Sequence, residues 1–142
     1  MSAPTPYLMF PGTAREALEA YAAVFGGEVA VNTYAEFSRT DGPAEAVAHG
    51  LLHGPVQLYA ADAAEGDASL HVTGLMMSLL GHAEPATLRT WFAALAEAGE
   101  VREPLSRRPW GASDGVVTDR FGVTWLLGFE HGSDPDGAAT SD

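Results

Sequence analysis

Apolar and polar positions along the chain alternate in two rhythms, one of period two and one of three to four, and both occur twice in the same order. Residues 7–10 form a short apolar run stopped by Pro11-Gly12, which reads as a strand. Apolar residues then recur at spacings of three and four, at Ala14, Ala17, Leu18, Tyr21, Val24 and Phe25, the stripe of a helix packed on one side. Thr13-Ala14-Arg15-Glu16 has the form of a capping box: Thr13 would accept from the Glu16 amide, and Glu16 would reach back to the Thr13 amide. Gly26-Gly27 closes the helix, because glycine takes the left-handed cap conformation without a Cβ clash. Residues 29–34 read as a second strand and 38–44 as a loop broken at Asp41-Gly42-Pro43. Residues 46–52 and 56–60 read as a hairpin turned at His53-Gly54-Pro55.

The second half repeats the plan. Residues 62–69 are polar and rich in Ala and Gly, the expected junction. Residues 75–80 are a nearly continuous apolar run, which predicts a strand buried on both faces. A helix starts near Glu84 with Pro85 at its tolerated first position, buries Leu88, Trp91, Phe92 and Leu95, and stops at Gly99. Residues 100–105 read as a strand and 106–113 as a loop carrying Arg107, Arg108 and Trp110. Val116 and Val117 lead into a hairpin turned at residues 119–122, and residues 123–129 lead out. Asp119 suits that turn because its carboxylate can accept from amides just ahead of it, and Trp125 should pack under a helix. Ala17, Tyr21 and Val24 fall on Leu88, Phe92 and Leu95 at a constant offset, and Val56 and Leu58 fall on Val123 and Trp125.

Each half therefore reads strand, helix, and three strands. One helix covers one face of such a sheet, so the other face needs a partner. The expected fold is α+β: two βαβββ modules, about 6–61 and 73–130, forming a curved eight-stranded mixed sheet around a cavity, with helices outside. They make one domain over residues 1–130, and 131–142 form a disordered acidic tail.

Composition narrows the function. The chain has 142 residues, 46% hydrophobic and 18% charged, which describes an ordinary globule rather than a disordered chain. A formal charge of −12 with only seven Lys and Arg argues against nucleic acid and against an anionic membrane surface. There is no cysteine, hence no disulfide framework, thiolate metal site or cysteine nucleophile. No run reaches the roughly 18 apolar residues of a membrane span, and the N-terminus lacks the layout of a signal peptide, so cytoplasm is the expected compartment. No Gly-x-Ser-x-Gly elbow or phosphate loop is present.

The ordered set Pro6-Tyr7-Leu8, Ala17-Leu18, Tyr21, Val24-Phe25-Gly26-Gly27-Glu28, His49, Trp110-Gly111, Gly115 and Asp119-Arg120-Phe121-Gly122-Val123-Thr124-Trp125 resembles the vicinal oxygen chelate superfamily. That superfamily includes glyoxalase I, extradiol dioxygenases and bleomycin-resistance proteins; within it the chain looks most like the PhnB-like group. The methyltransferase label often attached to that group implies nothing here, since no glycine-rich strand-to-helix loop of the nucleotide-binding kind is present. The resemblance implies a small-molecule cavity and a homodimer. It also implies, for the metal enzymes, a divalent ion held by His or Glu from the first and last strands of each half. In this sequence those places fall near residues 6–8, near 75–77, and on Tyr59 and Leu126, which offer no His or carboxylate. A metal is therefore disfavoured, and no cofactor is expected. Nor do His49 and His53 make a chelating pair, because four strand residues span about 13 Å.

The candidate ligand-binding residues are His49, Gln57, Tyr59, Met9, Met77 and Trp110. Val47, His49 and Leu51 are expected on one strand face, where His49, beside Gln57 and Tyr59, would bind a ligand or act as a general base. The competing reading is a core histidine satisfied by a backbone carbonyl or by Tyr59. Trp110 either closes over a pocket or seals the sheet edge. Arg107 and Arg108 either recognise an anion or are solvated. Met9 and Met77 suit an adaptable apolar wall. The leading functional expectation is a metal-free protein binding a small, largely apolar molecule, in a sequestering or resistance role. The alternative is a glyoxalase- or dioxygenase-related enzyme, metal-dependent or using His49.

Overall fold

The computed structural model describes residues 3–131. The chain divides into two compact units, one ending at His71 and the other beginning at Val72. In the first, β1 (Tyr7–Phe10), α1 (Ala14–Phe25), β2 (Glu28–Thr33), β3 (Val47–His53) and β4 (Leu58–Asp62) build a sheet in the order β1-β4-β3-β2. In the second, β5 (Met77–Leu80), α2 (Pro85–Ala96), β6 (Glu100–Arg107), β7 (Ala112–Thr118) and β8 (Thr124–Glu130) build a sheet in the order β5-β8-β7-β6. In each sheet the first strand pairs parallel with the last, and the remaining pairs are antiparallel. The α+β class and the two βαβββ modules are thus as expected, with the eight strands divided into two mixed sheets of four.

The helices bury the predicted stripes. Ala14, Ala17, Leu18, Tyr21 and Phe25 are buried on α1, with Val24 only half-buried. Leu88, Trp91, Phe92 and Leu95 are buried on α2. Leu8, Phe10, Leu52, Leu58 and Ala60 also belong to the core of the first unit; Val117, Trp125 and Leu127 belong to that of the second. Gly26 caps α1 at φ 85°, donating its amide to the Ala22 carbonyl 2.8 Å away. Gly50 lies where α1 crosses the sheet: a Cβ there would come within 2.7 Å of Leu18 Cδ1.

Several local expectations are corrected. Thr13 is the N-cap of α1, but its side chain makes no capping bond. The Ala14 amide instead donates to Asp62 Oδ1 at 2.9 Å, and Asp62 Oδ2 accepts from the Val47 amide at 2.9 Å. A carboxylate suits the positive end of a helix dipole, so a distant buried aspartate takes the role a local threonine was expected to fill. Val47 does not share a face with His49. The β2–β3 register shifts between Asn32 and Thr33, and Val47 lies on the helix side, beside Gly50. The run 75–80 is not buried on both faces: only Met77–Leu80 is strand, at the sheet edge, and Leu75, Met76 and Leu80 are exposed. Half of the loop expected at 106–113 is strand, because Ser106 pairs with Asp114 and Arg107 with Ser113, leaving a turn over 108–111. Ala98, at φ 62°, rather than Gly99 takes the left-handed position after α2. Gly99 is required instead for close approach, since a Cβ there would lie 2.5 Å from the Thr118 carbonyl. His131, assigned with the tail, is buried and lies 2.7 Å from Ser113 Oγ through Nε2; the rest of the tail, 132–142, lies outside the described residues. No helix among the described residues is long and apolar enough to cross a membrane.

Candidate functional site

Each helix covers one face of its sheet, and the strand registers fix what the other face carries. In the first unit Tyr7 pairs with Tyr59, Tyr59 with Leu51, and Leu51 with Ala30; His49 pairs with Asn32 and Met9 with Ala61. Leu8, Gly50, Leu52 and Ala60 alternate with these toward α1, so Tyr7, Met9, His49, Leu51 and Tyr59 share the face that α1 leaves uncovered. Three of them form a ring cluster. Tyr7 and His49 have centroids 5.6 Å apart, Tyr7 and Tyr59 5.7 Å, and His49 and Tyr59 5.3 Å, all tilted. Tyr7 Oη lies 2.8 Å from His49 Nδ1. Partial burial pushes the Tyr7 phenol above its ordinary pKa, with the positive charge of Arg39 pulling the other way.

His49 is therefore neither a core histidine held by a carbonyl nor one bonded to Tyr59. Its hydrogen-bond partner is Tyr7, which sequence reasoning did not single out, and Tyr59 packs beside the ring. The signal was present in the alternation: Tyr7 is out of phase with Leu8 and Phe10, so it falls on the face opposite the core. Gln57 serves the other histidine of this strand, its Oε1 lying 3.3 Å from His53 Nδ1. Met9 is on the ring-cluster face.

In the second unit, Met77 pairs with the fully buried Trp125 and so belongs to the helix-covered face. Its neighbour Met76 lines the uncovered side, in a hollow of about 630 Å³ bordered by Trp110, Val116 and Leu126 and by the charged Arg102, Glu103, Arg108 and Asp114. Arg108 is tied into the hairpin. Its Nε donates to Asp114 Oδ1 at 2.8 Å, its Nη2 to the Asp114 carbonyl at 3.0 Å, and Glu103 lies 3.6 Å away. It thus holds the β6–β7 turn rather than awaiting an anion. Trp110 does not seal the sheet: at the tip of that turn it is 71% exposed, and it also borders a second hollow of about 420 Å³ with Leu80, Ser113 and Phe129. The Ser113–His131 pair presents no nucleophile, because the serine is fully buried.

Residues 5–127 match the family model described as "Glyoxalase/Bleomycin resistance protein/Dioxygenase superfamily". The chain belongs to this superfamily. No curated protein sequence matches it. Among solved structures, protein PA1353 from Pseudomonas aeruginosa is 33% identical, with 92% of this chain and 98% of that chain covered and a TM-score of 0.76. A PhnB protein from Bacillus cereus is 24% identical, covering 90% and 99%, with a TM-score of 0.75; here the likeness is one of fold. The fosfomycin resistance protein FosX from Listeria monocytogenes shares the fold at 12% identity, covering 89% and 91%, with a TM-score of 0.62.

Metal-holding relatives raise the question of whether this superfamily member's donors fit an ion. Among the described residues no group of three or more His, Asp or Glu converges. His49 is joined by two phenols, and its register neighbours on the uncovered face include no carboxylate. One imidazole with two phenols is a poor donor set for a divalent ion, which takes about three His or carboxylate ligands in open sites. The donors present do not fit the metal.

Proposed function

We propose that the protein binds a small, largely apolar molecule without the help of a metal ion, as a sequestering or resistance-type member of its superfamily. The observation that carries this reading is the uncovered face of the first unit, where Tyr7, His49 and Tyr59 cluster beside Met9 and Leu51. Such a face offers stacking surface, an adaptable thioether and few polar handles, the usual makeup of a small-molecule site. The hollow beside Trp110 adds Met76, Val116 and Leu126 in the second unit, among paired charged residues. The protein acts as a homodimer, a reading that the superfamily resemblance supports, and works in the cytoplasm. An enzymatic reading, in which His49 acts on the bound molecule without a metal, draws on the same cluster.

Native mass spectrometry of freshly purified protein tests the proposal. The expected spectrum is a dimer carrying a small organic molecule and no divalent ion. One tightly held divalent ion per chain would overturn the metal-free reading and favour a metal enzyme.

A further inference from the structure

The Tyr7–His49 contact fixes more than the position of a ring. A neutral imidazole has one N–H and one bare nitrogen, and the bond made by one nitrogen decides what the other can do. Tyr7 Oη and His49 Nδ1 are 2.8 Å apart, so one of the two supplies the hydrogen. A phenol O–H is more acidic than a neutral imidazole N–H, and an imidazole nitrogen accepts better than a phenol oxygen. The pairing of better donor with better acceptor runs from Tyr7 to Nδ1. The raised pKa of Tyr7 keeps that proton on the phenol. His49 makes no other hydrogen bond among the described residues, and neither does the Tyr59 hydroxyl.

We propose that Tyr7 locks His49 in the tautomer that carries its hydrogen on Nε2, so that the site recognises a ligand oxygen that accepts hydrogen bonds, as in a ketone on a small aromatic or apolar frame. This rests on the reading of the uncovered first-unit face as the ligand site. Nδ1 is occupied and Nε2 already holds its hydrogen, so His49 acts as a donor, not as a general base. The Tyr59 hydroxyl stands beside it as a second free polar group. Tyr7, Tyr59, Met9 and Leu51 supply the apolar surroundings that make one such bond count for selectivity. A ligand presenting only a hydroxyl or amine hydrogen would find no bare nitrogen on His49. Tyr7 is a positioning residue, acting through the imidazole.

Two measurements on the full chain test this. Long-range nitrogen–proton correlation spectra at mildly alkaline pH, assigned with His49→Ala, report which imidazole nitrogen is protonated. Nε2–H is expected in the wild type, and Tyr7→Phe, which removes only the hydroxyl of a partly exposed ring, should return His49 to a mixture. Protonation at Nδ1 in the wild type overturns the proposal whatever the protein binds. The second measurement compares 2-acetylnaphthalene with 2-isopropenylnaphthalene, which has the same shape with a methylene in place of the oxygen. The ketone should bind about tenfold more tightly and move the Nε2 resonance, since one well-made hydrogen bond is worth about that factor. The preference should vanish in His49→Ala and shrink in Tyr7→Phe, which also covers the case of an unfolded His49→Ala. Equal binding of both probes leaves the ligand site standing and overturns the donor assignment. Binding of neither removes the ligand-site reading, and the donor assignment falls with it.

Discussion

Asp119 organises the second hairpin through one carboxylate. Its Oδ1 accepts from the amides of Phe121 at 2.8 Å and Val123 at 3.1 Å, and its Oδ2 accepts from Trp125 Nε1 at 2.8 Å. The Val123 and Trp125 bonds are buried, and Trp125 is the largest fully buried side chain in the protein's described residues. Asp119→Ala strands two buried donors at about 1–3 kcal/mol each, while the Phe121 amide is nearer water and can recover a partner. Part of that loss is offset because a buried carboxylate no longer has to be desolvated, so the expected net is about 3 kcal/mol. For a domain of this size that lowers the melting temperature by roughly 6–12 °C. Asp119→Asn separates the contributions. Its oxygen can still serve the two amides, but its NH₂ faces the indole N–H, donor against donor, for about 1–2 kcal/mol. Urea denaturation followed by far-ultraviolet circular dichroism avoids the confounding fluorescence of three tryptophans. In a Trp125→Phe background the Asp119→Asn penalty should shrink by about 1 kcal/mol, a double-mutant coupling well above additivity error. An unchanged midpoint for Asp119→Asn, or a coupling near zero, would refute the claim that the carboxylate links the turn to the core.

Two further substitutions probe other parts of the second unit. Gly128→Ala should cost about 2–3 kcal/mol in the same urea assay, because the new Cβ runs into the Ser113 carbonyl oxygen and within 2.9 Å of Asp114 Cα, backbone that cannot move aside cheaply; a loss under about 0.5 kcal/mol would contradict the close packing of β7 on β8. Trp110→Ala should leave stability within about 0.5 kcal/mol, since the ring is solvent-exposed at a turn tip, whereas a sealing role would show as a loss of about 2–3 kcal/mol.

The elements were legible because they are written locally. Spacings of three and four placed the buried stripes of both helices, and Asp119 was recognisable as a turn residue, as its bonds to Phe121 and Val123 bear out. What escaped depends on register between strands distant in sequence. The Asp62 carboxylate reaches Ala14 across 48 positions, and Tyr7 reaches His49 across 42; neither pairing can be read from alternation, which gives faces but not partners. The shift between Asn32 and Thr33 broke the alternation that had placed Val47 beside His49. The same uncertainty of phase separated Met76, which precedes β5 and borders the hollow, from Met77, which opens β5 beside Trp125.

The two uncovered faces have diverged in a way that bears on the ligand's charge. The first presents two phenols and an imidazole in its ring cluster, Tyr7, His49 and Tyr59. Its counterpart presents two arginines and two carboxylates, but Arg108 is held by Asp114 and Glu103, and Arg102 is engaged by Glu100 at 3.2 Å. Among the described residues, the arginines bordering the second hollow are thus both paired with carboxylates, and the first face adds a carboxylate, Glu28, opposite His53. The chain as a whole carries −12, a field that repels anions and attracts cations at long range. An anionic ligand would meet that repulsion where, among the described residues, Arg102 and Arg108 are already paired, and a cationic one would be drawn to the acidic surface elsewhere as readily as to either hollow. An uncharged molecule is indifferent to the field and loses little on leaving water, so aromatic and thioether contacts can decide where it settles. If the first face is the ligand site proposed above, burying such a molecule would also strip water from the Tyr7–His49 bond and strengthen it.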